Sequence, residues 1–190
     1  MRKLRTEANA RVRSWLALLR AAAVIACVLC AGQPGIAAED LDPFDELGLL
    51  LPAPELGGHG NRATITQTGS GNLAGIAQAG ATNEASIEQQ GALLRAGIGQ
   101  SGAGNWANIQ QTGEAQIAML LQSGDLNQTA IIQNGVRNIA YVEQAGYGNS
   151  ADVRQFGNHN YADVSQTGSG LRAVVIQNGD GNRAIVRQGN

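Results

Sequence analysis

Proline is missing from residues 61–190, lysine from everything after Lys3, and cysteine from everything after Cys30. Each absence removes a class of explanation. With Cys27 and Cys30 both in the N-terminal apolar run, the rest of the chain has no disulfide, thiolate nucleophile or thiolate metal site. Aromatic residues make up 4% of the chain, too few for an ordinary globular core of this size, where large rings supply much of the buried area. After residue 37 the only basic side chains besides histidine are seven scattered arginines, so nothing forms the basic patch that nucleic acid requires. The longest uninterrupted apolar stretch near the N-terminus, Ala21 to Ala31, has eleven residues and is too short to span a bilayer.

The N-terminus reads instead as a secretory signal. Arg2, Lys3, Arg5, Arg11 and Arg13 form a long basic region ahead of the apolar run. Pro34 then breaks the helix, and Gly35-Ile36-Ala37 offers small residues at the positions a signal peptidase reads, so cleavage is expected after Ala37, with Ala38 as the alternative. Val24-Ile25-Ala26-Cys27 also resembles a lipoprotein box, but the apolar run continues past Cys27 and Arg20 crowds it from upstream. Residues 38–60 differ in composition. Glu39, Asp40, Asp42, Asp45, Glu46 and Glu55 are acidic, with Pro43, Pro52 and Pro54, and the expectation is an extended, disordered leader.

From Asn61 onward, what is present is a repeat. Glutamine returns every eleven residues, twelve times, from Gln67, Gln78, Gln89 and Gln100 through Gln111, Gln122, Gln133 and Gln144 to Gln155, Gln166, Gln177 and Gln188. No insertion interrupts the series, and such a fixed register means that each unit stacks on its neighbours. The unit is Asn-x-Ala-x-Ile/Val-x-Gln-x-Gly-x-x, as in NRATITQTGSG. Alternation at period two predicts a strand with Asn, Ala, the aliphatic residue and Gln on one face. Its fifth position is aliphatic in all twelve units, and its third is Ala in eleven, with Thr129 the exception. The first is Asn in nine units (Asn61, Asn72, Asn83, Asn105, Asn127, Asn138, Asn149, Asn160 and Asn182) and is replaced by Leu94, Gln116 and Leu171. The alternate positions follow no such rule, which identifies the packed face.

One strand of about six residues cannot bury a face alone. The pattern therefore predicts an all-β solenoid of six 22-residue strand-turn-strand coils, whose two inner faces meet across a thin core. At the ends of that core, Asn and Gln are expected to stack over their counterparts in the next coil and to hydrogen-bond as an amide ladder. On the outer face, Ile117, Met119 and Leu121 stack beside Ile139 and Tyr141 if alternate units share a sheet. That cluster is a candidate lateral contact with a neighbouring filament, an accessory subunit or a membrane.

These residues resemble the curlin repeat, the unit of curli amyloid fibres on bacterial surfaces. Its pattern, Ser/Asn-x5-Gln-x4-Asn-x5-Gln with Gly after the Gln, is matched by Asn61, Gln67, Gly69, Asn72 and Gln78 and by the rest of 61–190. Stretches such as GNLAGIAQAG, IAMLLQSG and RNIAYVEQAG are more similar to the minor, nucleating curlin than to the major one, in which Ser-led and Asn-led strands alternate. In typical nucleators a divergent basic repeat follows, whereas here the sequence reaches Gln188-Gly189-Asn190 in register. The resemblance implies a structural subunit without cofactor, secreted through the periplasm to the cell surface. Its partners would be copies of itself, another curlin subunit, and the outer-membrane secretion channel with its accessory factors. The leader would be the segment that channel reads.

Other functions fit the residues less well. His59 lies in the leader and His159 in a turn, with no metal-ligand spacing between them. Asp152 and Asp163 fall in successive units and are expected on opposite sheets, so they cannot share catalytic work, and Glu84 with Glu88 reads as a solvated face. An ice-binding face needs ranks of Thr, and only Thr64 and Thr66 conform. A monomeric adhesin presenting Trp106, Phe156 and Tyr161 is the alternative to a polymer, although the strict regularity without a capping repeat argues against a lasting monomer.

Overall fold

The protein is described by a computed structural model over residues 60–190. The expected signal peptide, the lipoprotein box and nearly all of the leader lie outside the described residues. Twelve strands follow one another at the repeat period. They are β1 (Arg62–Ser70), β2 (Leu73–Ala81), β3 (Glu84–Ala92), β4 (Arg95–Ala103), β5 (Trp106–Glu114) and β6 (Ile117–Asp125). The second half continues with β7 (Gln128–Val136), β8 (Ile139–Tyr147), β9 (Ser150–Asn158), β10 (Tyr161–Ser169), β11 (Arg172–Asn178) and β12 (Arg183–Gly189).

Odd-numbered strands form one six-stranded sheet in the order β1-β3-β5-β7-β9-β11, and even-numbered strands form the other. All pairings are parallel and join equivalent positions two units apart, as in Ala63↔Ala85, Ile65↔Ile87 and Gln67↔Gln89. The result is the parallel β-solenoid of six coils that the repeat predicts. Its core is a single layer of Ala and aliphatic side chains between the sheets, including Ile87, Ile109, Leu120, Ile131 and Val153, all fully buried. Ala beside each aliphatic residue lets the sheets approach closely, since bulky groups at both positions would force them apart.

The strands are longer than the alternation alone suggests. Ten of the twelve have nine residues in place of the expected six or so, and only two residues connect Ser70 to Leu73 or Ala81 to Glu84. The reason lies at the glycine two residues after each Gln. Gly113 has φ of 128°, and a Cβ placed on it would lie 2.0 Å from the carbonyl oxygen of Gly135 in the next coil. Glycine lets the backbone bend there without leaving the ladder, because it tolerates the dihedral and leaves room for the neighbouring carbonyl. The last residue of the unit is left-handed in every connection. Gly takes that place at Gly71 and Gly148, but Thr82, Leu93, Ala115, Leu126, Arg137 and His159 also occupy it, with φ of 54° to 58°.

Candidate functional site

The two sheets place two columns of glutamine inside the stack, one per sheet. Each Gln amide donates to the carbonyl oxygen of the Gln one coil later: Gln67 to Gln89 (2.7 Å), Gln89 to Gln111 (2.8 Å), Gln111 to Gln133 (2.8 Å), Gln133 to Gln155 (2.8 Å) and Gln155 to Gln177 (2.8 Å). The other column runs from Gln78 to Gln100, Gln122, Gln144, Gln166 and Gln188 in the same way. From Gln78 onward each amide also donates across to the opposite sheet, as in Gln111 to the Arg95 carbonyl (3.2 Å) and Gln133 to the Ile117 carbonyl (3.1 Å). A buried Gln amide is thereby satisfied on both donors and on its acceptor, which removes the usual cost of a polar group in a dry core.

Asparagine at the first position does different work. Its amide donates across the connection to the glycine carbonyl, as in Asn83 to Gly102 (2.8 Å), Asn138 to Gly157 (2.8 Å) and Asn149 to Gly168 (2.9 Å). Its oxygen accepts the backbone N–H of the residue one coil later, as Asn61 does from Asn83 (2.9 Å), Asn72 from Leu94 (3.0 Å) and Asn160 from Asn182 (2.9 Å). Direct side-chain pairing joins only Asn83, Asn105 and Asn127. An amide at the first position thus serves the bend of the main chain, whereas one at the seventh serves the next Gln.

The departures at the first and third positions divide into satisfied and unsatisfied. Thr129 is buried in the Ala layer, and its hydroxyl bridges the opposite column, accepting from Gln122 (3.3 Å) and donating to Gln144 (2.7 Å). Leu94 is fully buried and apolar. Gln116 keeps the two donor bonds, to Thr112 and Gly135, but its oxygen is buried with no partner. The extra methylene carries that oxygen away from the N–H that an Asn would receive.

On the outer face of the even sheet, Ile117, Met119 and Leu121 of β6 stand beside Ile139, Tyr141 and Glu143 of β8. The five apolar residues are half-buried. Met119 and Leu121 lie down over the preceding coil, so that a Cβ on Gly97 would meet the Met119 sulfur at 3.0 Å and one on Gly99 would meet Leu121 at 3.0 Å. Tyr141 packs edge-on against Tyr161 with centroids 6.1 Å apart, and the Arg183 guanidinium sits 5.4 Å from the Tyr161 ring centre. Burial, then the neighbouring Tyr161 and Asp163, push the Tyr141 phenol above its ordinary pKa.

Asp152 pairs with Arg154 and Asp163 with Arg187, on opposite sheets as expected, and the Asp163 hydrogen bond raises the Arg187 pKa. His159 is an exposed left-handed turn residue, and His59 lies outside the described residues. Among the described residues no three metal-ligating side chains gather at one point. An open groove runs along the glycine column, lined by Gly69, Gly91, Gly113 and Gly135 with the residues that flank them.

The outermost coils are more exposed than the rest, and β11 and β12 are the two shorter strands. Ile65 on β1 is 36% exposed, while Ile87, its equivalent one coil later, is 0% exposed. β1 and β11 are the edge strands of the odd sheet, and β2 and β12 those of the even sheet. The family model of the curlin associated repeat matches residues 58–91, 83–113, 124–157 and 157–189. The chain belongs to that family. Neither curated proteins nor solved structures yield a match. The curlin repeat model passes over residues 114–123. That gap holds both Gln116 and the apolar outer positions of β6, the part of the stack that departs furthest from the repeat.

Proposed function

We propose that this curlin-repeat protein is a secreted structural subunit of curli-type functional amyloid, which assembles end to end into fibres serving cell adhesion and biofilm matrix. The observation that carries the reading is the exposure of a complete inner row on β1. Ala63, Ile65 and Gln67 are open to solvent while the equivalent rows of the next coils are buried. An edge strand with unpaired backbone groups and an apolar row is a template for another chain, and nothing in β1 blunts it with proline or an inward charge. The protein is structural, with the inner face holding amides and aliphatics in place of acids, bases or nucleophiles.

Within the family, we assign it to the minor, nucleating type. The Asn lead in both sheets and the similarity of IAMLLQSG and RNIAYVEQAG to minor curlin support this. Its partners are then further copies, a major subunit, and the secretion channel and accessory factors that read residues 38–60. The apolar cluster of Ile117, Met119, Leu121, Ile139 and Tyr141 serves lateral attachment. Replacing Met119 and Tyr141 with Ser should reduce bundling and leave filament growth intact; unchanged bundling removes that part.

The test of the main reading is thioflavin fluorescence and electron microscopy on residues 38–190, alone and as a trace seed for a major curlin. Fibres with a cross-β reflection near ~4.7–4.8 Å are expected. A shortened lag at trace dose is expected of a nucleator. A stable folded β monomer that never polymerises would turn the reading toward a solenoid adhesin presenting Trp106 and Phe156, each 40% exposed.

A further inference from the structure

Between coils of the stack, equivalent positions of successive same-sheet strands face each other at the inter-strand spacing, and the first residue of β1, Arg62, stands opposite Glu84 of β3. That is an opposite-charge pair of the kind that stabilises a ladder. At the other edge of the same sheet, Arg172 of β11 stands opposite the neutral Ser150 of β9. Neither arginine takes part in the two ion pairs found among the described residues.

We infer that the seam between two copies continues the 22-residue register, seating β1 of one copy on β11 of another, and that Arg172 against the second copy's Arg62 is a built-in electrostatic brake on its closure. The inference rests on the end-to-end reading above. Three observations name a second copy as the occupant. Among the described residues, Gln177 accepts from Gln155 and donates across to the Tyr161 carbonyl with no Gln after it in the column, and the Gln67 oxygen at the opposite edge has no Gln donor. The rows then match position by position, Ala173 with Ala63, Val175 with Ile65 and Gln177 with Gln67, as they do between β9 and β11. In the even sheet, the exposed Ile185 of β12 would meet Gly75 of β2, a pairing of a bulky with a small residue like that of Met119 with Gly97.

Two features oppose this fit: Asn190, which stands in the glycine place and would bring a side chain toward the second copy's Gly80, and the arginine pair, which alone is sensitive to salt. Two guanidinium groups brought to adjacent strands repel, and arginine cannot shed its charge. The pair would be exposed, so its repulsion is screened once the Debye length falls from ~30 Å at 0.01 M salt to ~3 Å at 1 M. Elongation should therefore accelerate with ionic strength, and more steeply than net charge accounts for.

The discriminating variant is Arg172→Glu. Beside the Arg172 side chain in the sheet stands Ser150, and the bond that the Arg172 carbonyl accepts from Gln188 is a main-chain one, so folding is not expected to change. At the seam the substitution creates an alternation of charge, with the introduced carboxylate facing the second copy's Arg62, which in turn faces that copy's Glu84. Elongation on matched seeds at low salt should speed up roughly three- to tenfold, and the gain should vanish by ~1 M salt. Arg62→Glu/Arg172→Glu, which sets like charges together again and beside Glu84, should be slow. Arg137→Glu, in an exposed connection mid-stack, makes the same charge change away from the edges and should leave the low-salt rate near that of the unsubstituted chain. Fibres that form at equal rates with Arg172→Glu and Arg137→Glu would overturn the seam while leaving the amyloid reading intact. A chain that forms no fibres under any condition overturns both.

Discussion

A buried glutamine in this stack joins three neighbours at one place, and that decides what its loss costs. Gln111 accepts from Gln89, donates to Gln133 and donates to the Arg95 carbonyl. Gln111→Ala leaves three partners unpaired in a dry core, at ~1–3 kcal/mol each before relaxation. We expect a loss of about 3 kcal/mol or more in chemical unfolding of the monomer. Gln67→Ala, at the exposed edge, should cost well under half of that. Gln116 offers the opposite case. Gln116→Asn should return an acceptor to the N–H of Asn138, following Asn72 with Leu94, and raise stability by about 1 kcal/mol. An unchanged unfolding midpoint would mean that the orphaned oxygen is costless. Tyr141 sets an alkaline limit. Its folded pKa lies above the ordinary 10.0, so the fold favours the neutral phenol. That contribution is complete below about pH 10 and is lost as the pH rises through the folded value. Tyr141→Phe should flatten the alkaline fall in stability, followed beside the phenolate absorbance of the unsubstituted chain.

At the scale of the strand and its connection, glycine separates two requirements that look alike in sequence. At Gly113 a side chain would collide with the Gly135 carbonyl, whereas at Gly148 nothing lies within 4 Å and Ala115 already occupies the equivalent place elsewhere. Gly113→Ala should therefore break the ladder locally and lower the thermal midpoint by many degrees. Gly148→Ala should cost about 1–2 kcal/mol for its left-handed backbone. Equal effects would refute the close-approach explanation. The all-β class, the coil length and the packed face were legible because period-two alternation and an unbroken eleven-residue register state them directly. The strand ends were not. A strand of about six residues would end before Gly69 and Ser70, yet both pair in register with Gly91 and Ala92, because the requirement that keeps glycine there comes from the next coil. The left-handed residue was hidden for a related reason, since Thr82, Leu93 and Arg137 carry no local signal for it. The separate bonding of Asn and Gln likewise depends on what each place in the coil faces, since Gln116 at the first position donates to the bend as Asn83 does, and sequence alone shows only two amides on one face.

Taken as a whole, the molecule is a stack in which the coil is the unit of change. Removing residues 105–126 takes out β5 and β6 together and joins Gly104 to Asn127 with every inner column still aligned. The shortened chain should keep its β circular dichroism and its capacity to assemble. Deleting Met119 alone should be worse than deleting those 22 residues, because it turns Leu120 and Gln122 outward and interrupts a column. If the single deletion proves the milder of the two, register is not what holds the stack together.

The glutamine columns have a further property. In a parallel strand the main-chain carbonyls point alternately up and down the stack, so their moments nearly cancel. The glutamine amides do not alternate, because each of the ten links donates from an earlier coil to a later one. If each amide carries about the ~3.5 D of a peptide group, the moments add along the axis as they do in a helix. The sheet, ordinarily an electrically indifferent structure, thus acquires an axial polarisation from its side chains, and a filament built from it would orient in an electric field.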